Sequence, residues 1–162
     1  MAKALFSKHF KNHGGNIVNI TADNKNGMPG MGHSGAARAG VENLTKTAAW
    51  EWGSFGVRVN AIAPGWVASS GLDTYPEDMK HAIQNLKHAV PLGRIASEAE
   101  IASTVCFLLS KGANFITGQT LFVDGGASMG SVPALFPLQN LHQPASETWD
   151  GFHRSITPKV LR

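Results

Sequence analysis

Three short β-branched runs, set apart by longer stretches with helical spacing, constrain this chain more than any other feature of its sequence. Asn16-Ile17-Val18-Asn19-Ile20-Thr21, Val57-Arg58-Val59-Asn60-Ala61-Ile62-Ala63 and Thr120-Leu121-Phe122-Val123 each read as a strand, the first as one buried on both faces. Ahead of the first, residues 3–13 carry Ala4, Leu5, Phe6 and Phe10 at helical spacing and stop at Gly14-Gly15. After it, a glycine-rich loop over 23–32 leads into a helical stretch over 33–52 that Gly53 ends. Pro64-Gly65 closes the second strand, and a modest helix is expected near 76–89. Ser97 and Glu100 form a capping box for one more helix, with Ile101, Val105, Leu108 and Leu109 as its buried stripe. Strands alternating with helices predict an α/β fold, a parallel sheet of about three strands wrapped by helices through right-handed crossovers.

Composition narrows the function classes. With 162 residues, 43% hydrophobic and 15% charged, the chain is apolar enough to close such a sheet over a core. No stretch approaches the roughly 18 apolar residues of a membrane span, and the first residues lack the pattern of a secretory leader. Val160-Leu161-Arg162 does not match a peroxisomal Ser-Lys-Leu address, so the expected location is cytoplasmic rather than peroxisomal. A single cysteine rules out an internal disulfide, and Cys106, lying in an apolar helical pattern, is expected as a packed core thiol. The net charge of +3 is spread singly, without the run of cations that a nucleic-acid backbone requires, and it suits small polyanions such as NADP or coenzyme A. His9 and His13 stand at i,i+4 spacing with no third ligand nearby, so no metal is expected. Trp50 and Trp52 lie too close to share a helix face, which predicts one buried and one at an interface.

One motif misleads. Gly30-Met31-Gly32-His33-Ser34-Gly35 matches the dinucleotide fingerprint G-x-G-x-x-G and opens a helix. Gly30 nevertheless stands about nine residues after Thr21, and the following strand ends in Pro64-Gly65 rather than an acidic residue for a ribose. The motif is read as a loop and as close helix packing built from small residues.

The order of the pieces resembles the second half of the short-chain dehydrogenase/reductase family over about residues 1–130. The matching segments are Gly15-Asn16-Ile17-Val18-Asn19-Ile20, Ala39-Gly40-Val41-Glu42-Asn43-Leu44-Thr45-Lys46, Val57-Arg58-Val59-Asn60-Ala61-Ile62-Ala63-Pro64-Gly65, Pro91-Leu92-Gly93-Arg94, and Phe115-Ile116-Thr117-Gly118-Gln119 through Val123-Asp124-Gly125-Gly126. His33-Ser34-Gly35-Ala36-Ala37-Arg38-Ala39-Gly40-Val41 is similar to the catalytic helix of peroxisomal-type trans-2-enoyl-CoA reductases, with 2,4-dienoyl-CoA reductases next. The resemblance implies the C-terminal part of a Rossmann-like, doubly wound parallel sheet whose N-terminal cofactor-binding half is missing, followed by an irregular tail over 131–162. It further implies an NADPH-dependent oxidoreductase (NADP rather than NAD) that reduces an enoyl-CoA thioester in fatty-acid metabolism. The implied partners are an acyl-CoA type small-molecule substrate and further copies in a homo-oligomer, with no nucleic acid and no membrane. Without the glycine-rich cofactor motif the isolated chain is expected to be inactive alone. Two alternatives stand beside this: a 2,4-dienoyl-CoA or 3-oxoacyl reductase, and a truncated non-catalytic remnant or interaction module that docks onto full-length relatives through residues 3–13 and 33–53.

In that family a serine after the strand, then a tyrosine and a lysine four residues apart, carry the proton chemistry. Here those positions read Ala22, Ser34 and Arg38, with Thr21 as the neighbouring hydroxyl. The implied catalytic residues are therefore Ser34, Arg38 and Thr21, and the implied cofactor contacts are Arg38 at the nicotinamide ribose and Pro64, Gly65 and Val67 at the carboxamide. Positions 34 and 38 are one helical turn apart and share a face. A serine hydroxyl cannot be tuned to exchange a proton near neutrality as a tyrosine beside a cation can, which disfavours alcohol–ketone chemistry. Reduction of an enoyl thioester asks mainly for a hydrogen-bond donor or a positive charge at the developing enolate oxygen. Glu42, a further turn along, is placed to pair with Arg38.

Overall fold

The centre of the sheet is its most apolar strand. In the computed structural model, which describes residues 2–129, 148–151 and 156–162, β1 spans Gly15–Ile20, β2 Val57–Pro64 and β3 Thr120–Val123. The sheet order is β1-β2-β3. Val57, Val59, Ala61, Ile62 and Ala63 of β2 are almost entirely buried, as suits a strand paired on both edges and covered on both faces. β1 pairs with β2 in parallel, Gly15 opposite Val57 and Ile20 opposite Ile62. On the other edge Gly118 N–H donates to Val59 O at 2.7 Å, Ala61 N–H to Gln119 O at 2.8 Å and Gly65 N–H to Val123 O at 3.1 Å. Partners advance together along both strands, so this pairing is parallel too. Of the expected tail, residues 131–147 and 152–155 lie outside the described residues.

Expectation and structure differ at β1. It is an edge strand among the described residues and only half-buried, with Asn16 and Ile20 exposed. A single neighbouring strand cannot cover both of its edges, so the apolar run alone overstated its burial.

Contacts divide the chain into two compact units, Met1–Ala63 with Thr104–Leu121, and Pro64–Ser103 with Phe122–Arg162. In the first unit the long helix Gly32–Trp52 lays Ala48 and Ala49 against Val57 and Val59, and buries Thr45 as well. The N-terminal helical segment, Ala2–Leu5 continued by Phe6–Phe10 and Lys11–His13, adds Phe6 and Phe10 to this core. Phe6 stacks on Trp52 with ring centroids 4.7 Å apart. Trp50, two residues and about 200° away around the helix, is 89% exposed. The segment reaches β1 through Gly14, whose φ of 66° and whose approach to Gly56 O, 2.9 Å from where a Cβ would sit, exclude any side chain. Polar groups close the sheet's far end: Asn60, 1% exposed, donates to Ile116 O and accepts from Gln119 N–H, and the Arg58 guanidinium donates to the carbonyls of Leu108, Ser110 and Ile116.

The capping box stands as the sequence predicts. Glu100 N–H donates to Ser97 Oγ at 3.2 Å and Ser97 N–H to Glu100 Oε2 at 2.9 Å, opening the helix Glu98–Leu109. Its buried stripe is narrower than the pattern suggests: Leu108 is fully buried, but Leu109 is 44% exposed. Cys106 is exposed as well, not a core thiol. It stands two positions, about 200°, from Leu108 and therefore faces away from the packed side. In the second unit Leu72, Ile83 and Val160 form a small core, with Leu86, Ile95 and Leu161 packed on it. No helix among the described residues is long and apolar enough to cross a membrane.

Candidate active site

Residues 34, 38, 41, 45, 48 and 52 recur at steps of four and three, one stripe along the helix Gly32–Trp52. Its later members pack on the sheet, while Ser34 and Arg38 in the first two turns are half-buried. Two hydrogen bonds tie this helix to the end of β1. Asn19 Nδ2 donates to Thr45 Oγ1 at 2.9 Å, and Thr21 Oγ1 donates to Glu42 Oε1 at 3.1 Å. Moving forward along β1 thus moves backward along the helix, and Ser34 and Arg38 lie past the strand's carboxyl end. That edge is where open parallel α/β sheets bind their ligands.

The structure brings Thr21 to Glu42 and not to Ser34 or Arg38. Thr21 is 4% exposed, and its hydroxyl also accepts the Ala22 N–H. The expected Arg38–Glu42 ion pair is absent, because the Glu42 carboxylate is turned to Thr21 instead; the ion pairs among the described residues are Lys80–Glu77 and Arg94–Glu100. Ser34 and Arg38 make no side-chain hydrogen bond or ion pair among the described residues, so a donor hydroxyl and a guanidinium remain available on one face.

In the second unit, Pro64-Gly65-Trp66-Val67 leaves the end of β2. Proline, lacking an N–H, fits the close of the ladder. A Cβ on Gly65 would lie 2.8 Å from Asp124 Cα, so only glycine lets the backbone pass here. Val67 then forms a parallel bridge with Ala96: Ala96 N–H donates to Trp66 O at 2.9 Å and Ala68 N–H to Ala96 O at 2.8 Å. In that pattern the N–H and C=O of Val67 itself point away from Ala96. The carbonyl accepts Ser69 N–H at 2.9 Å and keeps a second lone pair. One donor and one acceptor, side by side on a backbone, match the complementary pair on a nicotinamide carboxamide, so these residues fit that cofactor group.

Three supporting groups escape a sequence reading. Asp124 accepts the N–H groups of Gly126 and Ser128, both at 2.9 Å, fixing the turn after β3. Burial raises its pKa, but the hydrogen bonds from Ser128 and Gly126 outweigh this and hold it below the ordinary aspartate value. Arg94 grips Glu100 with two bonds of 2.7 and 2.9 Å. Glu42 could have been found as a carboxylate two turns past Ser34, yet nothing in the sequence pointed it at Thr21. In the glycine-rich loop, a Cβ on Gly35 would touch the Met28 side chain at 3.4 Å, in keeping with close loop–helix packing. His9 and His13 stack with ring centroids 4.7 Å apart.

A parallel sheet with helical crossovers defines a Rossmann-like α/β domain. A family model described as enoyl-(acyl carrier protein) reductase matches residues 1–128. The peroxisomal 2,4-dienoyl-CoA reductase of Danio rerio is 40% identical over 133 residues, 80% of this chain and 44% of that protein. A 3-oxoacyl-[acyl-carrier-protein] reductase of Staphylococcus epidermidis is 42% identical over 116 residues, 71% of this chain and 46% of that protein. Among solved structures, a citronellol catabolism dehydrogenase of Pseudomonas aeruginosa superposes with a TM-score of 0.66 at 52% identity, covering 78% of this chain and 48% of that one. The chain belongs to the short-chain dehydrogenase/reductase family, whose members depend on NAD or NADP. It spans about half the length of the relatives it matches.

Proposed function

We propose that this chain carries the nicotinamide- and substrate-facing part of an NADPH-dependent reductase acting on a trans-2-enoyl-CoA thioester. The observation that carries the reading is the pair Ser34 and Arg38, one turn apart on the stripe that runs past the carboxyl end of β1, with no tyrosine between strand and helix. A bound reduced nicotinamide supplies a hydride to the β-carbon. Arg38 sets its guanidinium where the thioester oxygen gains enolate character, and its planar fork also reaches ribose hydroxyls. Ser34 donates a second hydrogen bond to the same oxygen, and a proton from solvent then adds to the α-carbon as the carbonyl re-forms, so that hydride and proton together saturate the double bond. Thr21, held by Glu42, belongs to the site as the group that fixes the helix against the strand end. Val67 N–H and C=O, presented by Pro64 and Gly65, take the carboxamide. Likeness to a 2,4-dienoyl-CoA reductase and to a 3-oxoacyl-[acyl-carrier-protein] reductase supports thioester substrates as the class.

The test joins this chain to the part of the Danio rerio 2,4-dienoyl-CoA reductase that precedes its match, and measures NADPH binding by titration calorimetry, with and without trans-2-decenoyl-CoA, then NADPH consumption with decenoyl-, 2,4-decadienoyl- and 3-oxodecanoyl-CoA. The reading predicts enoyl over 3-oxoacyl reduction and a loss of roughly 100-fold or more in kcat for Arg38→Met, the scale seen on removing an oxyanion donor. Preference for the 3-oxoacyl substrate, or an undiminished Arg38→Met, overturns it.

A further inference from the structure

Asn26 stands apart from every other asparagine of the sequence, because it alone precedes a glycine. The pair lies in the glycine-rich loop between β1 and the helix Gly32–Trp52, and both residues are exposed. Two local bonds mark a turn here: Lys25 N–H donates to Asp23 Oδ1 at 3.3 Å, and Gly27 N–H to Asn24 O at 3.0 Å. Gly27 has a φ of 83°, and beyond its chain neighbours no atom lies within 4 Å of where a Cβ would sit.

In such a place a side-chain amide reacts with its own main chain. The nitrogen of the following residue has to reach the asparagine Cγ, which a side chain on that residue obstructs and a fixed backbone forbids. Glycine removes the obstruction and has the widest choice of φ. At other asparagines these conditions fail. Asn16, Asn19 and Asn60 lie in strands ahead of Ile17, Ile20 and Ala61, and Asn43 lies inside a helix ahead of Leu44. At Asn26 the bond from Gly27 N–H to Asn24 O has to open first, and exposed turns with few packed neighbours stand at the low end of local stabilities.

We propose that Asn26 is a self-modification site, where the folded chain converts asparagine to aspartate and isoaspartate without an enzyme. The Gly27 nitrogen, losing its proton to hydroxide, bonds to Asn26 Cγ; the Cγ–Nδ2 bond breaks and ammonia leaves, closing a cyclic imide. Water then opens the ring. Cleavage between the Gly27 nitrogen and Cγ gives aspartate, and cleavage between that nitrogen and the Asn26 main-chain carbonyl carbon gives isoaspartate. In sum a water is consumed and an ammonia released, nothing is oxidised or reduced, and the formal net charge of +3 falls by one. Isoaspartate also lengthens the main chain by one methylene. Met28, next in the loop, lies 3.4 Å from where a Cβ on Gly35 would sit, so the longer loop bears on the helix turn that presents Ser34.

The experiment ages the chain, joined to the preceding part of the Danio rerio reductase as above, in neutral and in mildly alkaline buffer, folded and in urea. Digests are mapped by mass spectrometry, with methyl transfer by protein isoaspartyl methyltransferase as the probe for isoaspartate, and melting curves verify the fold of each sample. The peptide holding Asn26 is expected to gain about 1 Da and to accept methyl groups. The rate is expected to rise up to about tenfold per pH unit, because the attacking amide nitrogen titrates far above neutrality. Asn26→Gln, which would need a larger ring, is expected to suppress both signals by about tenfold or more in that peptide, and the folded parent to react within about tenfold of the urea-treated one. A folded chain that reacts about a hundredfold more slowly than in urea overturns the proposal, because the fold then protects the turn. So does a mass gain that maps to another asparagine of this chain, or one that persists undiminished at position 26 in Asn26→Gln.

Discussion

Replacing Gly65 by alanine tests whether the carboxyl edge of the sheet is as tightly closed as its geometry says. The added methyl would stand 2.8 Å from both Cα and Cβ of Asp124. Ordinary carbon contacts lie at about 3.5–4.0 Å, so a gap of roughly 0.7 Å or more has to open. Neither side yields easily. Gly65 N–H is bonded to Val123 O, and Asp124 is pinned by its bonds to Gly126 and Ser128. Overpacking of this kind costs about 1–3 kcal/mol. At about 2–4 °C per kcal/mol for a chain of this size, the melting temperature should fall by about 2–12 °C. Gly53→Ala is the control: φ is −58° there and nothing lies within 4 Å of the new methyl, so stability should hold or rise by about 0.4–1 kcal/mol. Thermal melts followed by far-ultraviolet circular dichroism measure both. A Gly65→Ala chain melting at or above the parent, with Gly53→Ala unchanged, would refute the argument from contact geometry.

Two further outcomes follow from individual side chains. Glu100 is raised by burial but lowered more by Arg94 and by the N–H groups of Ser97 and Trp149, so its folded pKa lies below the ordinary 4.5. Its contribution to stability is therefore complete above about pH 4.5 and is lost as pH falls through the folded value. Glu100→Gln should cost about 1–3 kcal/mol near neutrality and flatten the acid limb of a urea-denaturation series run against pH; an acid limb as steep as the parent's would count against the network. Cys106, on the exposed side of its helix, should react with a thiol reagent in the native chain, read by intact-mass spectrometry; labelling that appears only in denaturant would place the thiol inside.

Local chemistry made much of this protein legible in advance. β-Branched runs, glycine stops and the Ser97–Glu100 capping box depend on residues near one another in the chain, and the strands, the long helix and the cap came out where those signals stand. The placement of Ser34 and Arg38 on one face is likewise a matter of helical period. Burial is not local. β1 carries as apolar a run as a central strand, yet among the described residues it is an edge, while β2 is paired on both edges and almost wholly buried. Cys106 and Leu109 sit in an apolar pattern, but which side of that helix meets a core was decided by what packs against Leu108. Glu42 could reach Arg38 along its own helix or Thr21 across to the strand, and the tertiary arrangement gave it to Thr21. The C-terminal turn Lys159–Leu161 shows the same division most plainly. Nothing near Val160 in sequence explains its position, because its partners, Asp73 and Gln84, lie 87 and 76 residues away and only folding brings their donors and acceptors within reach.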